Sequence, residues 1–186
     1  MLISRVIEFC FAVLVAFLIL VVISFLSMRP ILHDARIEAK AEWDAFGRAV
    51  KERNELLPGL LEAIKGFESG HGKLASSTLE ARAISMRATD PDRIVASVDD
   101  IDRNLEQIER VIQSKPELAH YPPFAKQWKP ILRITRRIVV AKQGYNRSAQ
   151  LYNRLLTPFP QNMLTSLFGF VPLNAYPVSR TPGEEE

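Results

Sequence analysis

Two Glu-x-x-His pairs, Glu68 with His71 and Glu117 with His120, are the residues whose types and spacing could do chemistry. Pairs of this kind on two helices of a bundle, completed by one carboxylate from each of two further helices, build carboxylate-bridged di-iron sites. Their surroundings argue otherwise. His71 stands between Gly70 and Gly72, His120 stands in the proline-rich stretch Lys115 to Pro123, and the apolar seam from Ile94 to Ile112 carries no acid. A metal-binding bundle using these four residues is an alternative reading, and exposed loop positions are the simpler one. There is no Gly-rich phosphate loop, Ser-His-Asp arrangement or zinc-ligand spacing, and His33 is remote in sequence from the other histidines. No catalytic residue, cofactor or metal is expected.

Whatever the chain does, it does on a tether. Phe9 to Met28 reads FCFAVLVAFLILVVISFLSM, without a charge. About 20 helical residues at 1.5 Å each span about 30 Å, the thickness of a bilayer's hydrocarbon core. Arg5 gives the run the look of a signal peptide, but the run is too long for one and Ser24 to Met28 offers no small-x-small cleavage site. Cys10, the only cysteine, precedes most of the run, so it is neither an acylation site of the lipoprotein kind nor part of a disulfide. Residues 1–30 read as an uncleaved single-pass anchor. Arg29, Arg36 and Lys40 beyond it outnumber Arg5 before it, which places the rest of the chain on the cytoplasmic side.

Beyond Arg29-Pro30, where a break or bend between membrane and soluble helix is expected, the pattern is helical throughout. Trp43, Phe46, Val50, Leu57, Leu60, Leu61, Ile64 and Phe67 fall at three- and four-residue spacings. Pro58 interrupts that helix and predicts a kink within it, not its end. Ser69 to Gly72 predicts a turn, Leu74 to Ala88 a shorter helix, and Asp90-Pro91 a helix start with Asp90 as N-cap. Ile94, Val98, Ile101, Leu105, Ile108 and Ile112 keep the four-three alternation of a bundle seam. The last helix, about Phe124 to Leu156, carries Phe124, Trp128, Ile131, Thr135, Ile138, Lys142, Tyr145, Ala149, Tyr152 and Leu156 on one stripe. No stretch alternates with period two, so the expected fold is all-α: an antiparallel bundle of the four-helix type over 31–172, with 173–186 as a disordered tail. Met163 to Phe170 is expected to pack back on the bundle end.

The chain resembles the LemA family of membrane-anchored helical-bundle proteins. The resemblance rests on Trp43, Arg53-Asn54-Glu55-Leu56-Leu57-Pro58, Gly66-Phe67, Ala81-Arg82, Lys115 to Leu118, the pairs Tyr145-Asn146 and Tyr152-Asn153, Phe159-Pro160 and Phe168-Gly169-Phe170. It implies the bundle, attachment to a bacterial cytoplasmic (inner) membrane, and no defined chemistry. The chain departs from the family pattern at Glu52, Gly59, Gly70-His71, Thr135 and Lys142, where the family usually carries polar or charged groups of other kinds. Family functions resting on those groups are not carried over.

Arg53 and Asn54 fall on the apolar side of the first helix and Lys142 on the seam of the last. They either snorkel at the core margin or hydrogen-bond to Tyr145, Tyr152 or a facing carboxylate, and a charge that is truly inside is expected to have a partner such as Glu55. The Tyr-Asn pairs, seven residues apart, repeat one face and read as helix-packing residues. From Ala119 to Pro160 there are eight Lys or Arg and no Asp or Glu, whereas the preceding helix is acidic. The two are expected to be antiparallel neighbours. The outer basic residues Lys126, Lys129, Arg133, Arg136 and Arg137 are the candidate interaction face, for a protein partner or for anionic lipid. Nucleic acid is not expected, because no aromatic platform interleaves the cations. The expectation is a non-catalytic scaffold held at the lipid bilayer, with its protein partner, or a second copy of itself, unspecified.

Overall fold

The structure, a computed structural model, describes residues 2–67, 70, 72–157 and 169–177. Five helices follow in order: α1, Leu2–Phe67; α2, Gly72–Arg87; α3, Pro91–Ser114; α4, Glu117–His120; and α5, Pro122–Leu155. There is no strand among the described residues. The chain divides into two units. Met1–Ala41 with Tyr145–Ala175 forms unit 1, and Glu42–Gly144 with Tyr176–Glu186 forms unit 2, so α1 and α5 each contribute to both.

Unit 2 is the bundle. Leu57, Leu60, Leu61 and Ile64 of α1 share one core with Ile101, Leu105 and Ile108 of α3 and with Phe124, Trp128 and Ile131 of α5. Phe46, Ala49 and Val50 share the next with Val95, Val98, Ile134 and Ile138. Residue numbers therefore rise together along α1 and α3 and fall along α5. On α2, Ala75 joins the Leu57 to Ile64 layer while Ser85 reaches back to Asn54, so α2 runs opposite to α1. The order is up, down, up, down. Each fully buried Leu or Ile contributes about 1.5–3 kcal/mol, which the scattered surface ion pairs do not approach.

Local chemistry explains the helix ends. Pro91 opens α3 where a missing N–H costs nothing, and Asp90 before it is extended, with φ −80° and ψ 124°. The Asp90 side chain makes no capping hydrogen bond, so its place is that of the N-cap without the expected bond. The expected connection between the long helices contains α4, whose Leu118 is fully buried. The Ser69 to Gly72 turn lies largely outside the described residues.

In unit 1, Leu32 and Ala35 of α1 pack with Tyr152 and Leu156 at the end of α5 and with Phe170. This packing accounts for α1 not breaking at Arg29-Pro30: the helix runs on through Pro30 and, as expected, through Pro58. A proline inside a helix costs about 3 kcal/mol, and the apolar contacts on its C-terminal side offset that. The apolar window of α1 is 0% buried and is the one helix stretch among the described residues long and apolar enough to cross a membrane.

Ordered chain also reaches past the expected start of the tail at 173. Asn153 holds Leu173 by both ends of its amide, Nδ2 donating to the Leu173 carbonyl at 2.8 Å and Oδ1 accepting from the Leu173 N–H at 2.8 Å. In unit 2, Tyr176 lies on Trp43 with ring centroids 5.6 Å apart. Of the segment expected to pack back on the bundle end, Phe170 does so, while Phe159, Pro160 and 163–168 lie outside the described residues, as do 178–186.

Candidate functional site

The stripe expected on α5 is the stripe that is buried. Thr135 and Ala149 are fully enclosed and Lys142 is 3% exposed. Burying Lys142 is permitted by α3, whose Asp99 accepts a hydrogen bond from Nζ at 3.0 Å. The acidic and basic helices are thus antiparallel neighbours joined across the core margin.

Arg53 is wholly buried, and its partner is not Glu55, which points to solvent, but Asp102 on α3. Nη1 donates to the Asp102 carboxylate and lies 3.5 Å from the Thr135 hydroxyl, so three helices meet at one guanidinium. Its Nε and Nη2 find no hydrogen-bond partner among the described residues. α3 therefore buries an acid beside its seam. Asp102 sits one position beside Ile101, on the edge that α3 turns toward α1.

A second polar cluster follows from Pro58. Its missing N–H leaves the carbonyl of Asn54, four residues earlier, without its helical donor. Arg82 of α2 takes that place, Nε donating to the Asn54 carbonyl at 2.6 Å. The Asn54 side chain donates to the Ser85 hydroxyl at 3.0 Å. Asn54, Pro58 and Arg82 thus form one device that fastens α2 to α1. Leu57 is fully buried beside it, Phe67 meets Tyr121 in a tilted contact with centroids 5.7 Å apart, and Gly66 faces the Tyr121 hydroxyl. Tyr145, Tyr152 and Asn153 belong to unit 1, where Tyr152 is core and Asn153 holds Leu173. Asn146 is half-buried there.

These supports frame a groove between α1 and α5. Glu42, Ala45 and Ala49 form one wall, and Arg133, Arg136, Arg137, Val140 and Ala141 the other. The Glu42 carboxylate swings over Gly144 of α5, where an added Cβ would lie 2.6 Å from Glu42 Oε2. Val140 is 62% exposed in an otherwise small-residue floor. Arg137 donates to Glu52 at 2.8 Å, an exposed pair worth little, while Arg133 and Arg136 are exposed and make no ion pair among the described residues. Lys126 and Lys129 are exposed as well but do not line the groove. Sequence reasoning found the arginines and missed Glu42, Ala45 and Ala49, whose small-xxx-small spacing was the available signal.

An apolar floor rimmed by cations accepts an amphipathic helix with acidic flanks. It does not arrange an acid and a base about a common point. Glu117 and His120 lie exposed on the four-residue α4, not on facing core helices, while Glu68 and His71 lie outside the described residues. Among the described residues no three His, Cys, Asp or Glu side chains gather as metal ligands.

Residues 42–185 match the sequence pattern of the LemA family. The chain belongs to the LemA family. No curated protein matches it in sequence. The LemA match covers the bundle, both polar clusters and the groove, and begins after the apolar window. Membrane attachment therefore rests on that window and not on the match.

Proposed function

We propose that this LemA-family protein is a non-catalytic scaffold, anchored in the cytoplasmic membrane by residues 9–28, that holds an acidic amphipathic helix of a partner protein in the α1/α5 groove. The supporting observation is Val140, exposed one and two turns along α5 from Arg136 and Arg133, neither of which has a carboxylate partner among the described residues. An apolar side chain flanked by cations gains most from a helix that offers apolar contacts at one face and acids at its margins. Glu42, the acid on the α1 wall, orients such a helix by repelling its acidic edge toward α5. The cytoplasmic placement of the bundle is supported by Arg29, Arg36 and Lys40 beyond the span.

The test is photo-crosslinking from Val140 in the full-length chain in its own membranes. A crosslinked protein whose reacted peptide is acidic and amphipathic, lost on reversing Arg133 and Arg136 to Glu with helicity unchanged, is the expected result. Capture that survives the reversal sinks the groove reading. Reporter fusions at the C-terminus read the topology, and activity of a periplasmic reporter there overturns the cytoplasmic placement.

A further inference from the structure

Unit 1 carries a second charged surface that the groove does not use. Immediately past the apolar window, Arg29, His33, Arg36 and Lys40 follow at i, i+4, i+7 and i+11 on α1, so they share one face, and all are exposed. Asp34 and Glu38 lie on the other side of the helix. On α5, Arg147, Leu151 and Arg154 repeat the spacing i, i+4, i+7 and are also exposed. Tyr152, next to Leu151, is fully buried in one cluster with Leu32 and Ala35, which fixes this turn of α5 beside the first turns of α1 beyond the window. Arg36 is near enough to act electrostatically on the Tyr152 phenol.

Distance along the helix sets the level of these groups. At 1.5 Å per residue, Leu32 lies about 6 Å and Arg36 about 12 Å past Met28 on α1, within or just above the headgroup layer of a bilayer whose core ends at Met28. Beyond the window, described unit 1 holds five cations, Arg29, Arg36, Lys40, Arg147 and Arg154, against the two carboxylates Asp34 and Glu38. Leu151, 50% exposed, lies between Arg147 and Arg154 on α5, and Ile31, also 50% exposed, lies about 4.5 Å past Met28 on the Asp34 side of α1. Apolar side chains half-exposed beside unpaired cations are costly in water and favourable at a membrane interface.

We propose that these residues form a collar that binds the phosphate headgroups of anionic phospholipids in the leaflet nearest the bundle, with Ile31 and Leu151 entering the interface. The proposal rests on the reading that residues 9–28 span the membrane. It assigns the lipid contact to Arg36, Arg147 and Arg154 and leaves Arg133 and Arg136 for the protein partner.

The test uses the full-length chain in vesicles of equimolar phosphatidylcholine and phosphatidylglycerol, extracted in mild detergent, with the retained lipids measured by mass spectrometry. The parent is expected to retain phosphatidylglycerol over phosphatidylcholine on the order of tenfold, an enrichment that weakens with salt. The Arg36→Glu, Arg147→Glu, Arg154→Glu variant should fall to the bulk ratio, the corresponding Gln variant should fall between, and Arg133→Glu with Arg136→Glu should match the parent. A parent at the bulk ratio, or a collar variant that keeps the enrichment, overturns the proposal. Resistance to alkaline carbonate separates the two readings. Insertion without enrichment refutes the collar alone, whereas a parent stripped from the vesicles refutes the anchor and the collar together.

Discussion

Arg53 on α1 and Asp102 on α3 form an ion pair sealed inside the bundle, with side-chain exposures of 0% and 6%. Such a pair contributes little relative to apolar residues of the same volume, yet breaking it from one side is expensive because the survivor is a buried charge. Asp102→Ala should therefore destabilise the protein by about 3–5 kcal/mol in chemical denaturation. The double variant Arg53→Met, Asp102→Leu should recover most of that loss. A double variant as unstable as Asp102→Ala would show that the pair itself, and not the orphaned guanidinium, carries the effect.

The same asymmetry ranks two other pairs. Lys142 and Asp99 are 4% and 23% exposed, whereas Arg137 and Glu52 are 57% and 48% exposed. Lys142→Ala should cost about 1–3 kcal/mol, through the lost hydrogen bond to Asp99 and the space its buried stem leaves. Arg137→Ala should cost under about 1 kcal/mol and lose what little it has in high salt. Denaturant midpoints for the two variants check the order, and equal costs would contradict the burial argument.

The helices were legible because each seam follows a period. All ten positions of the α5 stripe from Phe124 to Leu156 are buried, including Thr135 and Lys142, which spacing placed inside against their polarity. Asp102 was not legible, because α3 touches more than one neighbour and buries a stripe wider than its seam. Val95, Val98, Asp102 and Leu105 trace that second edge at three- and four-residue steps. Arg53 was legible as lying on the apolar side of its helix but its partner was not, since Glu55 was close in the chain and Asp102 is close only in the fold. The groove depends in the same way on α1 and α5 being neighbours, which no local pattern on either helix states. Of the break or bend expected at Pro30 there is no break, because packing on its C-terminal side carries the helix through.

Tyr152 links unit 1 to pH. Burial holds its phenol above the ordinary value near 10, opposed in part by the Arg36 charge. A tyrosine raised in the folded state keeps its proton after the unfolded chain has begun to lose its own. Its contribution to stability is thus complete below about pH 10 and is lost as pH rises from there through the folded value. Its hydroxyl has no hydrogen-bond partner among the described residues. Tyr152→Phe should be neutral within about 1 kcal/mol at pH 7 and should flatten the alkaline fall in stability. Melting curves from neutral to strongly alkaline pH test this, and an unchanged alkaline slope would remove Tyr152 as its source.

The Arg82 guanidinium fills a place on α1 that Pro58 opens, and this makes the two residues thermodynamically coupled though they are on different helices. In the parent, Arg82 Nε donates to the Asn54 carbonyl at 2.6 Å because residue 58 has no N–H to offer it. Arg82→Ala leaves that carbonyl partly enclosed and without a donor, at a cost of about 1–3 kcal/mol. Pro58→Ala restores the helical N–H and relieves the proline penalty, so the Asn54 carbonyl no longer depends on α2. In that background Arg82→Ala should cost less than half as much. The four proteins of the cycle, compared by denaturation, give the coupling directly, with about 1 kcal/mol or more expected. Additive costs would mean that Arg82 stabilises α2 by other contacts and that the carbonyl is served without it. Loss of the coupling should also loosen α2 from α1 locally, so amide exchange along Ala75 to Ser85 should quicken in Arg82→Ala and return toward the parent rate in the double variant.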